Sequence, residues 1–281
     1  MKITLSMIVK DGLEQLKKLK GQVENHIDEW VVVFPPNDPA IEWAEKNGIK
    51  VVIKDFTMPI EPKIRKKMKE YGLDVPENYK LFNFASARDE SFKHATGDYI
   101  LWLDADDMPV GLDKLKEFIS TRQHIDVFDC NYDYAKDKEG NPISDHIRER
   151  VVRNNGKFVW RGADLGLIHE TIVSKDFRPQ HIEVPKTTFN VVHVPETGHD
   201  LESTARNHVA LLYEYLKTEG KDPRTTYYLG TSFFNMKQYE QSILTMQEYI
   251  KVGGWDEERY RAWIRMAEAY HQLGDKESSR N

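Results

Sequence analysis

The sequence is poor in several things, and each shortage closes off a class of function. It has one cysteine, Cys130, so no disulfide can form within the chain. That fits a reducing compartment, and the cytoplasm is the expected location. The formal net charge is -6 over 281 residues. A duplex reader would carry a basic surplus, so nucleic acid is not an expected partner. No run approaches the roughly 18 uninterrupted apolar residues of a membrane span. The opening "MKITLSMIVKDG" turns polar too early for a secretory signal and reads as a first strand. No Walker sequence and no dinucleotide fingerprint occurs. What is there is ordinary globular composition, 40% hydrophobic and 31% charged, with room for one large or two modest domains.

Up to about residue 135 strand-like and helix-like segments alternate. "ITLSMIVK", "DEWVVVF", "IKVVIKDF", "DYILWLDADD" and "IDVFDCNYDY" read as strands. Between them "GLEQLKKLKGQVENHI", "PAIEWAEKNG", "NFASARDESFKHATG" and "LDKLKEFISTR" read as helices. Near-continuous apolar strands separated by helices predict a mostly parallel sheet with helices on both faces. Such sheets bind ligands beyond the carboxyl ends of their strands. "EPKIRKKMKEYG" breaks the rhythm, as either a solvated basic helix face or a flap over an anionic ligand.

From about 145 to 194 the text is strand-rich, with Asn155-Gly156 as a hairpin turn. After residue 200 it is helical only. "LGTSFFNMKQYEQS" and "MAEAYHQLGDKESS" align 37 residues apart, Leu229, Gly230 and Phe233 matching Met266, Ala267 and Tyr270. That offset is near the tetratricopeptide period of about 34, and the small Gly230 and Ala267 would let paired helices approach. So short a repeat set needs something to pack on. Trp255, Tyr260 and Trp263 look exposed, and a homodimer through the C-terminal helices is a further expectation.

The sharpest feature is "YILWLDADDMP", where three carboxylates follow an apolar strand. Asp107 alone would make a helix N-cap for the helix near Leu112. That leaves Asp104 and Asp106, which at strand spacing point to the same side. Two carboxylates facing one space repel unless a cation or a shared proton intervenes. A hard divalent ion, Mg²⁺ or Mn²⁺, removes that cost and commonly bridges phosphate oxygens.

"NFASARDESFKHATGDYILWLDADDMP" closely resembles the stretch leading into the Asp-X-Asp motif of family 2 glycosyltransferases with the GT-A fold. "FVWRGADLGLIHETI" is similar to the family's segment ending in His-Glu, and "VVHV" to its later metal-binding histidine. The helical tail resembles the subgroup that carries tetratricopeptide-like helices. The resemblance implies a GT-A transferase domain over 1–198 and an all-α repeat-like domain over 199–281. It implies an inverting transfer of a sugar from a nucleotide diphosphate, a UDP-sugar first, to an unidentified acceptor. Asp104, Ala105 and Asp106 would form the Asp-X-Asp segment at the donor. His193 would complete the metal site of Asp104 and Asp106. Val9 and Lys10 would cradle base and ribose, and Arg88 would contact the donor. Gly162 and His169 would stand beside the acceptor, with Trp160 either core or a stacking platform for a sugar ring. Glu170 would be the base, with Asp164, on the loop after Trp160, the runner-up.

The chain departs from that pattern after the second strand. The family's base-reading Asp is replaced by "VVVFPPNDPA", where Asp38 is the nearest acid. The residue after Arg88 is Asp89 instead of the usual Asn. Two rivals remain. A sugar nucleotidyltransferase would need a glycine-rich loop that "MIVKDGLEQ" lacks. A repeat-type binding scaffold with an inactive front domain is the other, and the set Asp104, Asp106, Glu170 and His193 argues against it.

Overall fold

The computed structural model describes residues 1–136, 142–161, 167–194 and 201–279. The first stretch alternates as expected through β1 (Ile3–Ile8), α1 (Leu13–Val23), β2 (Glu29–Phe34), α2 (Ile41–Lys46) and β3 (Lys50–Ile53). An excursion follows, with β4 (Thr57–Pro59), α3 (Pro62–Glu70) and β5 (Lys80–Phe82). The chain continues through α4 (Phe84–His94), β6 (Tyr99–Trp102), β7 (Asp107–Val110) and α5 (Leu112–Ser120). Next come β8 (Val127–Lys136), β9 (Pro142–Arg153), β10 (Phe158–Arg161), β11 (Thr171–Ser174), β12 (His181–Glu183) and β13 (Asn190–His193). It closes with α6 (Leu201–Thr218), α7 (Pro223–Asn235), α8 (Tyr239–Val252) and α9 (Asp256–Gln272).

Two compact units divide the chain. The first takes residues 1–56, 85–160 and 171–196; the second takes 57–84, 161–170 and 197–281. Compactness therefore groups the excursion and the 161–170 segment with the helical tail, whereas the sequence boundary at 198/199 separates chain by element type.

The first unit is mixed α/β. Its sheet runs β3-β2-β1-β6-β9-β8-β13-β7, with β12 beside β8. β1 is parallel to β2 and β6, and β2 to β3, as the alternating text predicts. Beyond β6 the sheet is mixed, because β9 lies antiparallel to both β6 and β8. β1 and β6 are buried almost end to end, which a strand covered on both faces requires. On one face α1 buries Leu16, Leu19 and Val23 and α5 buries Leu112, Leu115 and Ile119 in a single core. In a separate cluster, Ala85 and Phe92 of α4 pack with Ile100, Trp102, Val152 and Trp160.

Gly111 pins the turn between β7 and α5. Its φ is +88°, and a Cβ there would lie 2.2 Å from the Thr188 carbonyl oxygen. Gly111→Ala combines a left-handed backbone penalty with a backbone clash, and should cost at least about 2 kcal/mol. A urea midpoint measures that loss. Gly111 is also the N-cap residue of α5. Asp107 instead begins β7, so its expected capping role is not what the fold uses.

In the second unit α3 buries Ile64 and Met68 and turns its lysines outward, so the basic stretch is a solvated helix face. Glu61 ties it to α6, accepting from the Tyr213 hydroxyl at 2.7 Å and Lys217 at 2.9 Å. α7 and α8 approach closely at Gly230, where a Cβ would meet Met246 at 3.0 Å. On α9 the buried small residues are Ala262 and Ala269, whereas the expected Ala267 is only half-buried.

His208 of α6 is buried, with Nδ1 2.9 Å from the Ser232 hydroxyl and Nε2 without a partner. Burial lowers its pKa from 6.5 to about 4. Below pH 6.5 the unfolded chain takes up a proton that the folded one refuses. Stability present above that pH is therefore lost as pH falls toward 4, by up to about 3 kcal/mol. His208→Gln should flatten this acid limb, read as the difference between variant and parent denaturation midpoints at pH 7 and pH 4.5.

Candidate active site: an acidic turn at the end of a central strand

β6 ends at Trp102, and the chain then turns on itself. The Asp107 amide donates to the Asp104 carbonyl at 3.1 Å, and the Asp104 amide donates to Asp107 Oδ2 at 3.0 Å. This turn undoes strand spacing, so Asp104 and Asp106 take different partners. β7 then runs antiparallel to β13, which places Asp107 opposite His193.

Asp104 faces α4. Arg88 Nη2 donates to its Oδ1 at 2.6 Å, while the guanidinium lies 5.0 Å from the Trp102 ring and 4.8 Å from the Trp160 ring. Burial pushes the Asp104 carboxyl up, but the charges of Arg88 and Arg150 outweigh it and hold the pKa below the ordinary value. Arg88 was expected to touch the donor; here it is buried and ion-paired to Asp104.

Asp106 and Asp107 face His193. His193 Nδ1 is 3.7 Å from Asp106 Oδ2 and 4.0 Å from Asp107 Oδ1. Asp107 is 2% exposed, and neither its Oδ1 nor His193 Nδ1 has a hydrogen-bond partner. Burial first, then the Asp104 charge, raises both aspartate carboxyls; His193 opposes this for Asp106 and Arg150 for Asp107. One atom from each of these three residues falls within 4.8 Å of the others. Two carboxylates and an imidazole suit a divalent ion such as Mn²⁺. This is the one such cluster found among the described residues. The expected ligand set named Asp104; the cluster here holds Asp107 beside Asp106 and His193, while Arg88 pairs with Asp104.

The neighbouring loops are knitted to this turn. A Cβ on Gly12 would meet Val9 Cγ1 at 2.7 Å and Ala105 Cβ at 3.6 Å, so the chain after β1 runs close to the acidic turn. Val9 is buried and donates its amide to Val33 at 3.0 Å, while Lys10 is exposed. Asp38 was the candidate base reader. Its Oδ2 accepts from the Asp11 amide at 2.8 Å and its Oδ1 from the Ala40 amide at 2.9 Å. Asp38 thus clamps the loops after β1 and β2 together. Asp89 does similar work, accepting from the Trp160 amide at 2.8 Å.

Trp160 is 4% exposed and packs edge-on against Trp102 at 4.8 Å and Phe92 at 5.8 Å. A platform needs an open ring face, so the acceptor-side role is corrected to a core one. His169 and Glu170 belong to the second unit, where the His169 ring stacks on Tyr228 at 3.8 Å. Gly162 and Asp164 lie outside the described residues.

Sequence reasoning missed Arg150 and Tyr134. Arg150 Nη1 donates to Asp107 Oδ2 at 2.8 Å, and the Tyr134 ring lies parallel to His193 at 5.1 Å. An arginine set directly before the apolar pair Val151-Val152 in a strand was the available signal for the first.

Residues 52–177 match the model of the family described as Glycosyl transferase family 2. The SPbeta prophage-derived glycosyltransferase SunS of Bacillus subtilis (strain 168) is 22% identical over 253 residues, 89% of this chain and 52% of that protein. Glycosyltransferase SunS of Bacillus phage SPbeta matches to the same extent. The chain thus spans about half the length of the curated relatives it matches. Among solved structures, S. aureus TarS 1-349 with UDP-GlcNAc aligns at TM-score 0.48 and 11% identity, over 100% of this chain and 90% of that one. The mannosyltransferase PcManGT of Pyrobaculum calidifontis, with GDP-Man and Mn²⁺, aligns at TM-score 0.42 and 12% identity, over 99% and 84%. No helix among the described residues is long and apolar enough to cross a membrane.

Proposed function

We infer that the protein is a metal-dependent glycosyltransferase that moves a sugar from a nucleotide diphosphate, a UDP-sugar first, to an acceptor with inversion. The observation that carries this is the facing pair of buried, unpartnered atoms, Asp107 Oδ1 and His193 Nδ1, beside the Asp106 carboxylate. Leaving such atoms unpaired is costly unless something binds between them. Asp106, Asp107 and His193 would hold Mn²⁺ or Mg²⁺, and the match to the family 2 model over 52–177 supports the same reading.

An ion held there would supply charge stabilisation to the departing diphosphate. The turn of residues 104–107 positions the donor at the carboxyl end of β6. Arg88 keeps Asp104 ionised and fixed against the indoles. In the transfer, the bond from the anomeric carbon to phosphate breaks and a bond to the acceptor atom forms on the opposite face. The acceptor proton passes to a carboxylate, which the family resemblance assigns to Glu170, with Asp164 as the alternative. The division into a transferase domain over 1–198 and a repeat-like helical domain over 199–281, used for self-association, belongs to the same proposal.

Calorimetry with UDP tests it. Binding should require Mn²⁺ and disappear in Asp106→Asn. Binding indifferent to both would remove the transferase reading. Hydrolysis of UDP-, GDP- and dTDP-sugars in the presence of Mn²⁺ then ranks the donors, and Glu170→Gln should stop transfer while leaving UDP binding in place.

A further inference from the structure

We propose that Arg150 is the positioning residue that turns Asp107 into a metal ligand; this rests on the metal-dependent reading above. The two oxygens of Asp107 have different fates. Oδ2 accepts from Arg150 Nη1 at 2.8 Å and from the Asp104 amide at 3.0 Å. Oδ1 accepts from nothing and stands 4.0 Å from the equally unpartnered His193 Nδ1. Arg150 therefore occupies one oxygen and presents the other. A carboxylate tied in this way is held against rotation and would offer Oδ1 to an incoming ion.

Arg150 is itself held on both sides. Among the described residues it heads the largest fully buried side chains, at 1% exposure. Its guanidinium carbon lies 3.9 Å from the Trp102 ring centre and 4.3 Å from that of Tyr132. Two aromatic faces fix the plane of the fork and replace part of its lost hydration. Among the described residues its hydrogen bonding goes to Asp107 alone, and its Nε has no partner. A guanidinium serving a general buried network would spread its donors over several acceptors. This one is aimed.

Charge supplies the second half of the argument. The turn brings together three carboxylates, with Arg88 opposite Asp104 and Arg150 opposite Asp107. The turn is then left with about one negative charge, on Asp106. A divalent ion bound there keeps net positive charge to turn toward a diphosphate. Lysine in place of Arg150 would keep the charge but lose the planar fork and the stacking that set the Asp107 rotamer.

The test uses the full chain without nucleotide and follows Mn²⁺ binding by the electron paramagnetic resonance signal of the free ion. Circular dichroism melts run in parallel, and binding is read at a temperature where each variant is folded. Arg150→Met fills the aromatic slot without the fork; its Mn²⁺ affinity should fall about 10- to 100-fold, the usual effect of losing a partner behind a metal ligand. Arg150→Lys should fall between Met and the parent. A folded Arg150→Met that melts lower yet binds Mn²⁺ as the parent does would overturn the proposal and leave Arg150 a structural brace. If Arg150→Met does not fold, parent-like affinity in folded Arg150→Lys overturns it equally. Failure of the parent chain to bind Mn²⁺ sinks the metal reading itself, a result distinct from either.

Discussion

Asp107→Asn should lower Mn²⁺ affinity by more than about 100-fold, beyond the loss expected of an outer partner. It should also lower stability by about 3 kcal/mol, because Arg150 keeps its charge in a buried slot without a counter-charge. Asp104→Asn gives the informative contrast. Asp104 keeps about a third of its side-chain surface, 35%, and its partner is Arg88 and not His193. Its loss should weaken Mn²⁺ binding far less than loss of Asp106 or Asp107. The Asp-X-Asp reading ranks the three differently, with Asp104 and Asp106 first and Asp107 dispensable. Mn²⁺ titration of the three single variants, alongside their urea midpoints, separates the two rankings.

Trp160→Ala should cost about 3–5 kcal/mol, the range for emptying a large aromatic from a packed core. The indole touches Trp102, Phe92 and the Arg88 guanidinium, so its removal also loosens the cation that fixes Asp104. A sugar platform would behave otherwise, raising the acceptor KM with the melting temperature unchanged. A melt that drops by several degrees is the expected result. An unshifted melt with a raised KM would return Trp160 to the acceptor side.

The parallel half of the sheet was legible because period and burial agree there. β1, β2 and β6 are short apolar runs, and α1 carries Leu16, Leu19 and Val23 at helical spacing. The acidic cluster was legible as a site because carboxylates crowd after a strand. Its internal assignment was not. Strand spacing was extended past Trp102, where the chain has already begun to turn, and one residue of turn changes which carboxylate faces which cation. Asp38 illustrates a second limit. A lone acid near a ligand loop reads as a ligand contact, yet one of its oxygens caps the Ala40 amide two residues on and the other serves the Asp11 amide, 27 positions away, which only the folded chain brings near. Arg150 and Asp107 are 43 residues apart in sequence, and nothing local announces their pairing.

The second compact unit is stitched from three stretches of chain, 57–84, 161–170 and 197–281. Ile60, Ile64, Met68 and Leu81 share one apolar cluster with Leu167, and with Val209, Leu212 and Phe233 of the tail. During synthesis the first of these stretches leaves the ribosome long before its partners exist. Its greasy side chains must wait, bare or chaperoned, for well over a hundred further residues to emerge, as the pairing of Glu61 with Tyr213 across 152 positions shows. A gene cut at codon 198 would make that wait permanent, so the shortened product should form inclusion bodies instead of a well-behaved catalytic fragment.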